Sequence, residues 1–115
     1  MYTILIADDD PLLLDMMAKV LAEPGYSVLT ASDGFEAVRL LADRHIDLMI
    51  ADINMPGLDG LQLGLQAKVM RPNLHILFMS GRRPSGGVLP NFGKLIEKPI
   101  RAASLIQAVR GELGT

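Results

Sequence analysis

Ile4-Leu5-Ile6-Ala7-Asp8-Asp9-Asp10-Pro11 joins a short run with no polar face to three consecutive acids and a proline. An aliphatic run too short for a helix and closed by a turn signal reads as a strand buried on both faces, as at the centre of a parallel sheet. Working outward, Ser27 to Ala31, Leu48 to Ala51, His75 to Met79 and Lys94 to Ile96 read as four further strands. Between them Leu13, Met16, Met17, Val20 and Leu21 fall on one helical stripe, as do Ala37, Val38 and Leu41, and later Leu105, Ile106, Val109 and Leu113. Strands alternating with helices through right-handed crossovers predict an α/β fold. Its form is a doubly wound, five-stranded parallel sheet of order 2-1-3-4-5, covered on both faces, with chemistry gathered beyond the carboxyl ends of the strands.

The chain of 115 residues, half of them apolar, is long enough for one core and too short for two ordinary domains, so residues 1–115 are read as a single domain. Eleven basic against thirteen acidic residues give no reason to expect nucleic acid or an anionic membrane as partner. Without cysteine there is neither a disulfide framework nor a thiolate metal site. The amino-terminal stretch has no secretion signal, and no apolar run approaches the roughly 18 residues needed to span a bilayer. A cytoplasmic protein is the expectation.

The unusual residues sit where the predicted strands end. Asp10 before Pro11 has the chemistry of a helix N-cap followed by a first-turn proline, which leaves Asp8 and Asp9. A solvated turn would account for both, yet the neighbouring strand also ends in an acid, Asp52, directly after Leu48-Met49-Ile50-Ala51. Three carboxylates gathered in a crevice are costly unless a proton or a cation neutralises them, and hard oxygen donors suit Mg²⁺. Such a site is fitted to phosphoryl transfer, with Asp52 as nucleophile. Ser80 closes the fourth strand with a hydroxyl donor, and the fifth runs into Lys98, whose ammonium pairs with a phosphoryl group. Taken singly, Ser80 is a turn residue and Lys98 a surface charge; the combination is the signal. His45 and His75 lie away from the strands' carboxyl ends and are left out. Gly57, Asp59 and Gly60 read as a turn and helix cap, and Asp33-Gly34 likewise.

These residues resemble the receiver domains of two-component response regulators, a likeness that covers the whole chain. Ile4-Leu5-Ile6-Ala7-Asp8-Asp9-Asp10-Pro11 looks like the family's opening strand and acid pair. Asp47-Leu48-Met49-Ile50-Ala51-Asp52-Ile53-Asn54-Met55-Pro56-Gly57-Leu58-Asp59-Gly60 looks like its phosphorylation segment. The resemblance implies that Asp52 is the phosphoacceptor, Asp9 a direct Mg²⁺ ligand, Asp8 a ligand through water and Asn54 a ligand through its backbone carbonyl. It makes Ser80 and Lys98 the conserved hydroxyl and lysine, and Lys98-Pro99 a cis peptide. The implied donor is a sensor histidine kinase or a histidine phosphotransfer protein, and the implied output a downstream target or a fused output domain. The domain is then a signalling switch that catalyses only its own phosphorylation and dephosphorylation, not an enzyme acting on a metabolite.

There are departures from the family pattern. Between Ser80 and Lys98, Gly81-Arg82-Arg83-Pro84-Ser85-Gly86-Gly87-Val88-Leu89-Pro90-Asn91-Phe92-Gly93 is short and rich in helix breakers, so the fourth of five helices is expected to be short, irregular or missing. Leu95 occupies the position of the family's switching aromatic, three residues before the lysine. An aromatic rotamer switch is therefore absent, the usual dimer face is in doubt, and loop ordering takes its place as the expected signal. Two other readings stay open. A flavodoxin-like electron carrier shares the strand order, but three aspartates after the first strand would repel the FMN phosphate. An adaptor that keeps the fold and is never phosphorylated is the other. The end at Gly114-Thr115 suits a stand-alone regulator or part of a longer one.

Arg82, two residues after Ser80, and Arg83 are either solvated loop charges or cations that reach the phosphoryl group. By the resemblance, the positions two after Ser80 and two after Asp52, Arg82 and Asn54, tune how long the phosphorylated form lasts. Arg82→Ala is expected to change the phosphoaspartate lifetime, measured by loss of the phosphorylated mass after donor removal; an unchanged lifetime leaves Arg82 a solvated charge.

Overall fold

The computed structural model describes residues 1–81 and 93–115. Its elements are β1 (Thr3–Ala7), α1 (Pro11–Ala22), β2 (Ser27–Ala31), α2 (Gly34–Asp43), β3 (Leu48–Asp52), α3 (Gly60–Met70), β4 (His75–Ser80), β5 (Gly93–Glu97) and α4 (Ala102–Leu113). All strand pairs are parallel, in the expected order β2-β1-β3-β4-β5. The stretch expected to hold a short or irregular fourth helix, with Arg82 and Arg83, lies outside the described residues; α4 is the last helix of the sequence reading.

The sheet has a core on each face. Leu5, Ala7, Met49, Ala51, Ile76 and Phe78 pack with Ala37 and Leu41 of α2 and Leu63 and Ala67 of α3. Ile4, Ile6, Leu48, Ile50, Leu77 and Met79 pack with Leu14, Met17 and Leu21 of α1 and Leu105 and Val109 of α4. Because β1 and β3 are buried on both faces, their sequences carry no alternation, which is why they read as continuous apolar runs. On α1 the buried positions are Leu14, Met17 and Leu21, so Leu13, Met16 and Val20 flank the stripe instead of forming its centre.

Strand ends differ from the sequence reading by single residues, and the differences matter. Asp52 and Ser80 are paired members of β3 and β4, opposite Met79 and Glu97. A polar side chain at a strand's end is no bar to the ladder, which uses only backbone groups. Their side chains are therefore held by a rigid sheet, not by a loop.

Three other acids at this end cap helices. Asp10 accepts from the Leu12 and Leu13 N–H groups with Pro11 at the first helical position, Asp33 accepts from Glu36, and Asp59 forms a reciprocal box with Gln62. Each satisfies amides that the helix itself cannot, at the positive end of the helix dipole. At the opposite end, Arg71 donates to the carbonyls of Leu41, at 2.7 Å, and Arg44, at 3.2 Å, closing the end of α2 against α3. His45 and His75 lie at this amino-terminal end too, before β3 and at the start of β4.

Gly60 lets α3 begin against the end of β3: a Cβ there would stand 2.2 Å from the Asp52 carbonyl oxygen. Gly111, inside α4, has open space around it. Gly60→Ala should therefore cost at least ~2 kcal/mol, overriding the ~1 kcal/mol helix preference of alanine, whereas Gly111→Ala should add ~0.5–1 kcal/mol. Urea unfolding midpoints check both signs; a Gly60→Ala protein as stable as the parent would show that α3 can shift off the strand end freely.

Candidate functional site

Parallel register builds the site. Ala7 pairs with Ala51, so the residues that follow, Asp8 and Asp52, leave two hydrogen-bonded strands side by side. Ser80 pairs with Glu97, and the Lys98 N–H continues the ladder to the Ser80 carbonyl at 2.9 Å. One oxygen from each of Asp8, Asp9 and Asp52 can be chosen so that all lie within 4.8 Å of one another. Asp8 and Asp52 are buried and Asp9 is exposed.

Lys98 is the counter-charge. Its Nζ stands 3.0 Å from Asp8 Oδ2 and 3.3 Å from Asp52 Oδ2, with the lysine side chain one quarter exposed. Asp8 Oδ1 accepts the Asp10 N–H at 2.8 Å. Among the described residues the buried Asp8 Oδ2 has the Lys98 ammonium as its charge partner, at 3.0 Å, and no further donor. Burial pushes the Asp8 carboxyl above its usual range; the Asp10 N–H and Lys98 oppose the rise and the Asp52 charge adds to it. Burial pulls the Lys98 ammonium down, but pairing with Asp8 and then Asp52 outweighs it and the net shift is upward.

Among the described residues, three carboxylates against one ammonium leave two negative charges when all are ionised, the charge of one divalent cation. The donors are all oxygen, and Asp8 Oδ2 retains acceptor capacity that a cation's bound water would fill. The residues fit a hard divalent metal.

The other expected site residues are close by. Asn54 donates its backbone N–H to Asp52 Oδ1 at 3.2 Å and its side-chain Nδ2 to Ser80 Oγ at 3.3 Å. Ser80 is buried. Leu95 is half-buried on β5, paired with Phe78 and packed on the α2–α3 core. The Lys98–Pro99 peptide is cis. Two features escape the sequence: the Asn54 side-chain contact with Ser80, which joins positions 26 residues apart, and the packing of Phe78 where a Gly93 Cβ would otherwise stand. A glycine opening β5 was the only trace of the second.

A buried acid pair bridged by lysine, with a hydroxyl on the next strand end of a 2-1-3-4-5 sheet, defines a phosphoryl-accepting switch domain. The chain belongs to the response regulator receiver domain family, whose model matches residues 4–110. Response regulator receiver protein CpdR of Brucella abortus (strain 2308) is 30% identical over 114 residues, which cover 95% of this chain and 94% of that protein. Transcriptional regulatory protein GlrR of Escherichia coli (strain K12) is 33% identical over 110 residues, 92% of this chain; the matched region is 25% of that protein, so the chain spans about a quarter of its length. Response regulator protein TrrA from Thermotoga maritima, solved in complex with Mg²⁺-BeF, superposes with a TM-score of 0.88 at 26% identity, covering 96% of this chain and 98% of that one.

The raised Asp8 pKa has a measurable consequence. A proton on Asp8 competes with a divalent cation, so affinity should fall on acidification, starting above the range in which exposed carboxylates titrate. Mg²⁺ titrations by calorimetry between about pH 8 and about pH 5 should show this fall, flattened in Asp8→Asn. Affinity independent of pH in the parent protein would mean that burial does not govern Asp8.

Proposed function

We propose that this receiver domain takes a phosphoryl group onto Asp52 from a phosphohistidine, on a sensor histidine kinase or a histidine phosphotransfer protein, with Mg²⁺ as the metal. The observation that carries the reading is the Lys98 ammonium lying within 3.3 Å of Asp52 and 3.0 Å of Asp8 where three carboxylates converge. A carboxylate so placed keeps a cationic partner on the side from which phosphoryl oxygens arrive.

A carboxylate oxygen of Asp52 attacks phosphorus in line. The new P–O bond forms as the phosphoimidazole N–P bond breaks, and its electron pair returns to the imidazole nitrogen. Asp9 and Asp52 would hold the metal directly, Asp8 through water, and Asn54 through its backbone carbonyl. When bound, Mg²⁺ neutralises charge on the phosphoryl oxygens. Lys98 pairs with one phosphoryl oxygen and Ser80 donates to another, both reached from rigid strand ends. Water then attacks phosphorus, releasing inorganic phosphate and regenerating the Asp52 carboxylate. The domain thus resets itself and turns over no external metabolite.

With Leu95 at the position of the family's aromatic, loop ordering replaces an aromatic rotamer as the route from Asp52 to the surface. The altered surface changes affinity for a downstream target or a fused output domain, which fits the presence of transcriptional regulators such as GlrR among the relatives. No helix among the described residues is long and apolar enough to cross a membrane, and a single cytoplasmic domain over residues 1–115 is the setting we favour.

Intact-mass measurement with acetyl phosphate and Mg²⁺ tests the assignment. The parent protein should gain one phosphoryl increment, Asp52→Asn none, and Lys98→Met should react at least ~10-fold more slowly. A parent protein that stays unmodified would point to an adaptor that keeps the fold without the chemistry; a modified Asp52→Asn would move the acceptor elsewhere.

A further inference from the structure

His45 and His75, which the phosphoryl chemistry does not use, line one cavity at the opposite end of the sheet from Asp52. There the backbone adds a rung at the starts of β1, β3 and β4: the Asp47 N–H donates to the Thr3 carbonyl at 2.9 Å and the His75 N–H to the Asp47 carbonyl at 3.3 Å. The cavity beside this rung measures about 440 Å³, within the ~300–1,000 Å³ range of small-molecule sites. Ile46 and Leu74 on its wall are buried, and Met70 and Leu113 are half-buried.

The polar groups around it are mostly donors. Among the described residues Asp47 is the one acid on the wall, and both of its oxygens are committed: Oδ2 accepts the Thr3 N–H at 2.8 Å and Oδ1 meets His45 Nε2 at 2.9 Å. Arg71 spends one terminal nitrogen on the Leu41 and Arg44 carbonyls, and its remaining N–H groups have no partner among the described residues. The Tyr2 hydroxyl, the Asn73 amide and His75 Nε2 likewise have none there. His75 Nδ1 faces Glu112 Oε1 of α4 at 3.8 Å, and Lys94 Nζ stands 3.5 Å from the other Glu112 oxygen, so that acid is offset from β5.

We propose that this cavity binds a small carboxylate with a flat apolar body, at a site separate from Asp52. Spare donors without a spare acceptor select an anion. Arg71 supplies the one fixed positive charge on the wall, a planar fork that matches a carboxylate. A phosphate dianion would leave a second charge unmatched against Ile46 and Leu74, which is costly. Tyr2 and Met70 bring a ring and a thioether, both of which favour the face or edge of a flat ring system.

Titration of the full chain with naphthoate, followed through assigned amide resonances, tests the site. Saturable shifts are expected at Tyr2, Asn73 and His75, with the Asp9 and Asn54 amides unmoved. Acetate, which lacks the apolar body, and naphthylmethanol, which lacks the charge, should each bind at least ~10-fold more weakly. Arg71→Gln should lose naphthoate binding, but it also loses the bonds to α2. Asn73→Asp is therefore the deciding variant: on an exposed turn it adds an acid to the wall, and it should weaken naphthoate ~3-fold or more while leaving naphthylmethanol unchanged. The proposal is overturned by the absence of saturable shifts up to ~10 mM naphthoate, by shifts centred on the Asp52 end, by naphthylmethanol binding as tightly as naphthoate, or by an Asn73→Asp protein that binds naphthoate like the parent.

Discussion

Two carboxylates leave adjacent strands in register, Asp8 after Ala7 and Asp52 after Ala51, and the carboxyl end of the sheet is organised around the cost of burying them together. Lys98 offsets part of it by reaching both. Burial dominates at Asp8 and raises its pKa, so the folded protein binds that proton more tightly than the unfolded chain does. The sign follows: the stabilisation from protonated Asp8 is complete below the unfolded-state pKa and is lost as pH rises through the higher folded value. At neutral pH without a cation, Asp8 therefore works against folding. A site that costs stability until it is filled is one whose filling has an effect, because a ligand that binds only the folded form returns free energy to it.

The remainder of the fold keeps this arrangement from relaxing. Two separate cores clamp the sheet, so neither β1 nor β3 can slide without exposing buried side chains on both faces. Gly60 brings the start of α3 against the Asp52 carbonyl, and the Gly60 N–H reaches the Ile53 carbonyl at 3.2 Å. Repulsion between carboxylates on loops would push the loops apart. Here it meets strand ends held on both faces, and among the described residues Lys98 eases it, as a proton or a metal would.

Most of this was legible in the sequence because it follows from topology. Central parallel strands are apolar on both faces, the acids come straight after two such runs, and strand order makes those runs neighbours. Lys98 and Ser80 follow by the same argument. Single-residue boundaries were harder, since nothing in a side chain says that Asp52 and Ser80 still belong to the ladder. Leu14, not Leu13, lies at the centre of the α1 stripe because the angle of the helix on the sheet is set by neighbours distant in sequence. The Asn54–Ser80 contact and the Arg71 bonds to Leu41 and Arg44 depend on which rotamer reaches which backbone, and no spacing rule carries that information.

The other acids at the same rim explain why the site answers to a cation first. Asp10, Asp33 and Asp59 cap helices whose positive ends they satisfy, so their charges are largely matched locally. Among the described residues the converging charge is that of Asp8, Asp9 and Asp52, where one ammonium reaches Asp8 and Asp52. A phosphoryl donor approaching that surface carries the same sign and is repelled. A divalent cation brings the local charge close to zero and removes the barrier. The count of charges that the strand register brings together therefore favours a cation over an anion in this crevice.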